Sequence, residues 1–127
     1  MKTEGDLRKA AVTQLLCLTR PLNEIEAQLT AFDWDYEGVP VELTRRHLAS
    51  VLQRYLQAIL SAEDIETWAN LIEGREDVCF EPQFARQIEV VLNELANPTL
   101  TQPLEHQRAQ VLLNGLIDDE GRSIAGK

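Results

Sequence analysis

The chain is short of the residues that most catalytic and secretory signatures are built from. Among 127 residues there are two cysteines, two histidines, one methionine and seven aromatic rings. Cys17 and Cys79 are far apart and belong to no CxxC pair, which excludes a disulfide framework and the usual zinc ligand spacing. Their neighbours are apolar, as expected of inert thiols in a reducing cytoplasm. His47 and His106 stand apart, and Glu105 beside His106 is not a metal spacing. There is no HExxH, no GxSxG, no GxGxxG and no glycine-rich phosphate cradle. No apolar run approaches the ~20 residues that a membrane helix needs. Glu4 and Asp6 stand where a secretory signal would be basic, and Leu16 before Cys17 is too large for a lipoprotein cleavage site.

Positive charge is also scarce. Twelve Lys and Arg face twenty-one Asp and Glu, a net charge of −9. Such a balance repels nucleic acid and attracts a basic partner at low salt. Apolar residues make up 44% of the chain, ordinary for a globular domain of this length. The expectation is a cytoplasmic protein with no cofactor and no membrane or nucleic-acid partner, either a monomer or a homodimer.

The periodicity is helical throughout. Leu7, Ala10, Ala11, Leu15 and Leu18 give a three-four spacing over residues 7–18. Pro21 can open a second helix with Leu22, Ile25, Leu29 and Phe32 inward. The spacing of Leu48, Val51, Leu52, Tyr55, Leu56 and Ile59 predicts a third helix from Thr44 to Leu60. Ser61 to Asp64, SAED, is a capping-box-like start for a fourth, with Ile65, Trp68, Ala69 and Ile72 inward and Gly74 at its end. Phe84, Ile88, Val91, Leu92 and Leu95 mark a fifth, stopped by Asn97 and Pro98. A sixth starts near Pro103, with Leu104, Val111, Leu112 and Leu116 inward. Val39 to Val41 and Val78 to Phe80 are candidates for a small two-strand pairing. The expected fold is all-α: one domain over residues 1–118, a bundle of five or six antiparallel helices arranged as hairpins, with residues 119–127 as a flexible tail.

A shift of 40 residues aligns Leu16 with Leu56, Ile25 with Ile65, Glu26 with Glu66 and Phe32 with Ile72. Each unit reads helix, tight turn, helix, acidic break, and residues 89–116 suggest a third hairpin. Such short turns place successive helices side by side.

The two acidic breaks are the candidate sites. In DWDYEG, Asp33, Asp35, Glu37 and Gly38 match the first half of a calcium loop. Thr44 stands where the bidentate glutamate belongs, and Pro40 interrupts the second half, so no metal is expected there. Trp34 and Tyr36 either pack on the core or anchor a partner among the surrounding acids. Over residues 61–82, seven carboxylates face Arg75 alone. They read as a solvated helix end or as a negative surface for a cationic protein. The residues assigned to partner binding are Asp33, Trp34, Asp35, Tyr36, Glu37, Glu73, Glu76 and Asp77. Arg45, Arg46 and Arg54 cluster on the third helix, where they can pair with the breaks, and His47 beside them is expected to be exposed.

The run YLQAILSAEDIETWANLIEGREDV, residues 55–78, resembles small bacterial all-helical proteins and is similar to the colicin-like self-protective immunity proteins. Tyr55, Leu56, Ser61, Ala62, Glu63 and Trp68 carry the likeness, which covers roughly a fifth of the chain. It implies a helical bundle whose acidic surface binds a basic nuclease toxin, and it transfers no individual functional residue. The functional expectation is therefore a non-enzymatic, immunity-type inhibitor. The alternatives are a helical adaptor with another partner, and a carboxylate-based, metal-dependent enzyme.

Overall fold

Leu48, Val51 and Leu52 fall on one side of a helix, and all three are buried at the centre of the molecule. The computed structural model describes residues 4–32 and 38–124, without the side chains of Glu4 and residues 118–124. Among these residues the order is α1 (Glu4–Cys17), α2 (Leu22–Leu29), β1 (Val41–Leu43), α3 (Arg45–Leu56), α4 (Ala62–Ile72), β2 (Val78–Phe80), a 3-10 turn (Pro82–Phe84), α5 (Ala85–Ala96) and α6 (His106–Ile124). The fold is helical, with β1 and β2 paired in parallel and Val41 opposite Val78. A five-residue turn joins α3 to α4 and a nine-residue loop joins α5 to α6, but the most extensive packing sets α3 against α6 and α4 against α5. The backbone of α6 runs past Asp118 to Ile124.

The 40-residue period is visible in the elements. Residues 45–56 form α3 and residues 85–96 form α5; α2 and α4 begin at 22 and 62. Leu48, Val51 and Leu52 of α3 correspond to Ile88, Val91 and Leu92 of α5, and all six are buried. The two turns also match, because Leu18 and Ala58 both have positive φ, 50° and 64°. The strands begin only 37 residues apart, at 41 and 78, and the three-residue 3-10 turn restores the phase. In α1 the same face carries Arg8, Ala11 and Val12. A buried arginine thus stands where the later units have Leu48 and Ile88.

Several inward positions differ from the periodic reading. Leu7 is half exposed because the face of α1 turned inward is Arg8, Ala11, Val12, Leu15 and Leu16. The chain leaves α3 at Leu56 and turns through Ala58, so Ile59 points outward. Because α6 starts at His106, its inward face is Ala109, Leu113 and Leu116, and Val111 is half exposed.

Polar groups join the helices at their ends. Trp68, fully buried on α4, donates its indole N–H to Leu15 O at 2.7 Å. Arg54 of α3 donates to Cys17 O and Leu18 O at 3.0 and 2.9 Å, satisfying carbonyls that the end of α1 leaves open. Tyr55 donates to Leu104 O just before α6, while Arg45 donates to Leu116 O late in α6. These bonds hold α3 and α6 in opposed directions.

Candidate functional site

Ser61 sets the phase of α4. Its hydroxyl accepts from the Asp64 N–H, and the Asp64 carboxylate accepts from the Ser61 N–H, both at 3.0 Å. This reciprocal cap is worth about 1 kcal/mol and satisfies two backbone donors at once. The helix then buries Ile65, Trp68, Ala69 and Ile72. Gly74, at φ 85°, takes the chain out of the helix.

With that stripe fixed inward, Glu63, Glu66, Asn70 and Glu73 follow one another at three- and four-residue steps along a single flank. Asn70 donates its side-chain N–H to Ala96 O at 3.1 Å, which places this flank beside the end of α5. Between the two helices lies an acidic groove. At one end Glu63 and Glu66 border an apolar notch of about 170 Å³ lined by Leu95, Pro98, Pro103 and Leu104. At the other, Glu73 faces Arg86, Glu89, Val90 and Asn93 around a shallower hollow of about 310 Å³. Glu94, also at the notch, is bound by Arg108 through two bonds of 2.6 and 2.7 Å, so it adds no unbalanced charge. Among the described residues no cation of the chain is ion-paired with Glu63, Glu66, Glu73 or Glu89.

Asp77 behaves in the opposite way. It was expected on a binding surface, but it is 1% exposed. Its carboxylate accepts from Arg8 Nε at 2.9 Å and from Arg75 Nε and a terminal N–H at 2.8 and 2.9 Å. Its backbone oxygen accepts from Val41 N–H, extending the strand pairing. Burial alone would raise its pKa, but the hydrogen bonds from Arg75 and Arg8 outweigh this and hold it below the usual carboxylate range. The Arg8 guanidinium also lies 5.7 Å from the centre of the Phe32 ring. Asp77 is therefore a junction between α1 and the strand pair, withdrawn from any partner.

The other expected site residues divide. Glu73 lies in the groove, and Glu76 is exposed in the turn before β2. Asp33, Trp34, Asp35, Tyr36 and Glu37 lie outside the described residues. The arginines of α3 are used internally: Arg45 packs its guanidinium 3.3 Å from the centre of the Phe84 ring, and its backbone N–H donates to Glu81. Only Arg46 of the three is exposed. His47 is half-buried, its Nδ1 accepting from Thr44 N–H at 3.0 Å. Burial lowers its pKa, opposed by the nearby Glu81 charge, so it is neutral at pH 7.

The larger cavity, about 500 Å³, opens beside the two helix turns. Its charged groups are already committed: Arg54 to the end of α1, Arg20 to Glu24 and Asp64 to Ser61, with Asn23 the further polar residue of its lining. Among the described residues no group of three His, Cys, Asp or Glu side chains could hold a metal ion, and no helix is long and apolar enough to cross a membrane. The contribution of α5 and the α5–α6 loop to the groove (Glu89, Val90, Leu95, Pro98 and Leu104) was missed from sequence. The flank of α4 had a signal, the spacing of Glu66, Asn70 and Glu73 beside the buried stripe. No family model, curated protein or solved structure matches the chain.

Proposed function

We propose that the protein binds a basic protein partner without catalysing a reaction, in the manner of an immunity protein that blocks a nuclease toxin. One observation carries this reading: four glutamates with no ion pair among the described residues border the α4–α5 groove, against Arg86 as the one cation of its lining. Among the described residues the buried charges are Arg8, Arg45, Arg75, Asp77 and Glu94, three cations and two anions. The rest of the chain is thereby more acidic than the total of −9. Glu63, Glu66, Glu73 and Glu89, none of them ion-paired among the described residues, converge on the groove between α4 and α5. A nuclease cleft carries the cations that hold a phosphate backbone, and such a row of carboxylates offers them an alternative partner.

The test is to read the frames beside the gene for a toxin with a basic nuclease domain, express the chain with that domain, and measure both complex formation and residual cleavage; the absence of such a frame counts against the immunity reading. The expected result is a complex with cleavage abolished, whose association slows as salt rises. Full nuclease activity in the presence of excess protein would remove the immunity reading.

A further inference from the structure

We propose that the notch at the α4–α5 groove seats an apolar side chain of a basic protein segment, while that segment's cations meet Glu63 and Glu66 and then Glu73. This rests on the binding reading above and assigns it a place and a sequence chemistry. The notch is lined mainly by carbon from Leu95, Pro98, Pro103 and Leu104. Its volume of about 170 Å³ exceeds the ~150 Å³ of an apolar cavity that accepts benzene. One aromatic or branched side chain fills it. Because Arg108 neutralises Glu94, the unbalanced charge at this end belongs to Glu63 and Glu66.

The two features together select the occupant. A row of carboxylates alone attracts any cation and gives no register. An apolar notch alone takes any hydrophobic group. Side by side they call for an apolar residue flanked by Lys or Arg, with charge complementarity guiding approach and the buried side chain fixing position. Glu73, the residue that caps the end of α4, stands seven residues after Glu66, about 10 Å along the axis. An extended peptide covers that distance in about three residues. A second cation three residues beyond the one that meets Glu66 therefore reaches Glu73 and Glu89.

The experiment titrates the ¹⁵N-labelled full chain with three synthetic hexapeptides. The first reads lysine, phenylalanine, lysine, glycine, serine, lysine; the second has glycine for phenylalanine; the third has glutamate for each lysine. The first is expected to shift the amides of Glu63, Glu66, Leu95 and Leu104, and to bind about tenfold tighter than the second, as burial of one aromatic ring implies. The third should produce no shift. Glu63→Lys with Glu66→Lys, the first exposed and the second half-buried at the rim of the notch, should abolish binding of the first peptide with the fold retained. Equal affinities for the first two peptides, or shifts scattered over the surface, would overturn the notch and leave the acidic-binder reading standing. No shift with either lysine peptide would overturn both.

Discussion

The strand-pair junction and the α4–α5 groove are both rich in carboxylates, and the molecule treats them differently. At the junction, Asp77 is buried between Arg8 and Arg75, its charge spent on joining α1 to the start of β2. In the groove, Glu73, only four residues earlier, faces Arg86 and Glu89 with no ion pair among the described residues. The difference comes from what the fold brings opposite each group. Arg8 lies 69 residues away in sequence, at the helix position that α3 and α5 fill with Leu48 and Ile88. A charge placed in that position needs a buried counter-charge, and Asp77 supplies it. Acidity in a sequence is therefore no guide to function until the partners are known.

The largest effect is expected from breaking the junction. Asp77→Ala removes the buried carboxylate that Arg8 and Arg75 share and should cost about 3–5 kcal/mol. For a domain whose whole stability is about 5–15 kcal/mol that is a large fraction, readable as a lowered urea midpoint. A loss under about 1 kcal/mol would mean that the arginines find equal partners elsewhere, and the contrast with the groove would fail.

The same contrast has a pH form. The folded-state pKa of Asp77 lies below its ordinary 3.8, so the unfolded chain binds the proton more readily. The stabilisation is complete above 3.8 and fades as pH falls through the folded value. His47 has the same sign, since its folded pKa is also depressed. Its contribution is complete above 6.5 and declines as pH falls through its lowered value. Unfolding midpoints measured down the acid range should therefore show two separate declines. Asp77→Asn should flatten the lower one and leave the upper unchanged.

Ser61→Ala probes what holds the groove in phase. Loss of the reciprocal cap with Asp64 should cost about 1 kcal/mol by thermal unfolding. An unchanged midpoint would show that packing of Trp68 and Ile65 alone sets the start of α4.

This cap was legible from SAED because both partners lie within one turn. The stripe Ile65, Trp68, Ala69 and Ile72 was legible for a similar reason, since helical period depends on local spacing. What was not legible depends on distant residues or on unusual backbone. Nothing local announces that Ala58 turns at positive φ, so Ile59 was placed inside. Nothing near Asp77 names Arg8. Half of the groove comes from α5 and its following loop, which only tertiary packing brings beside α4.

The smallest expected effect on stability is also the one that isolates function. Glu63→Gln, Glu66→Gln and Glu73→Gln combined remove three charges from groove positions where no cation among the described residues is paired with them. Surface changes of this kind usually fall within about 0.5 kcal/mol each, and relieving mutual repulsion pushes the sign towards stabilisation. Binding should respond in the other direction. Fewer carboxylates weaken steering, so stopped-flow association with a basic partner should slow and lose part of its salt dependence. A triple variant that unfolds like Asp77→Ala would place these glutamates inside the structural network. One with unchanged stability and unchanged association would move the binding surface off α4 altogether. Only unchanged stability with slowed association separates the acids the fold needs from the acids it presents.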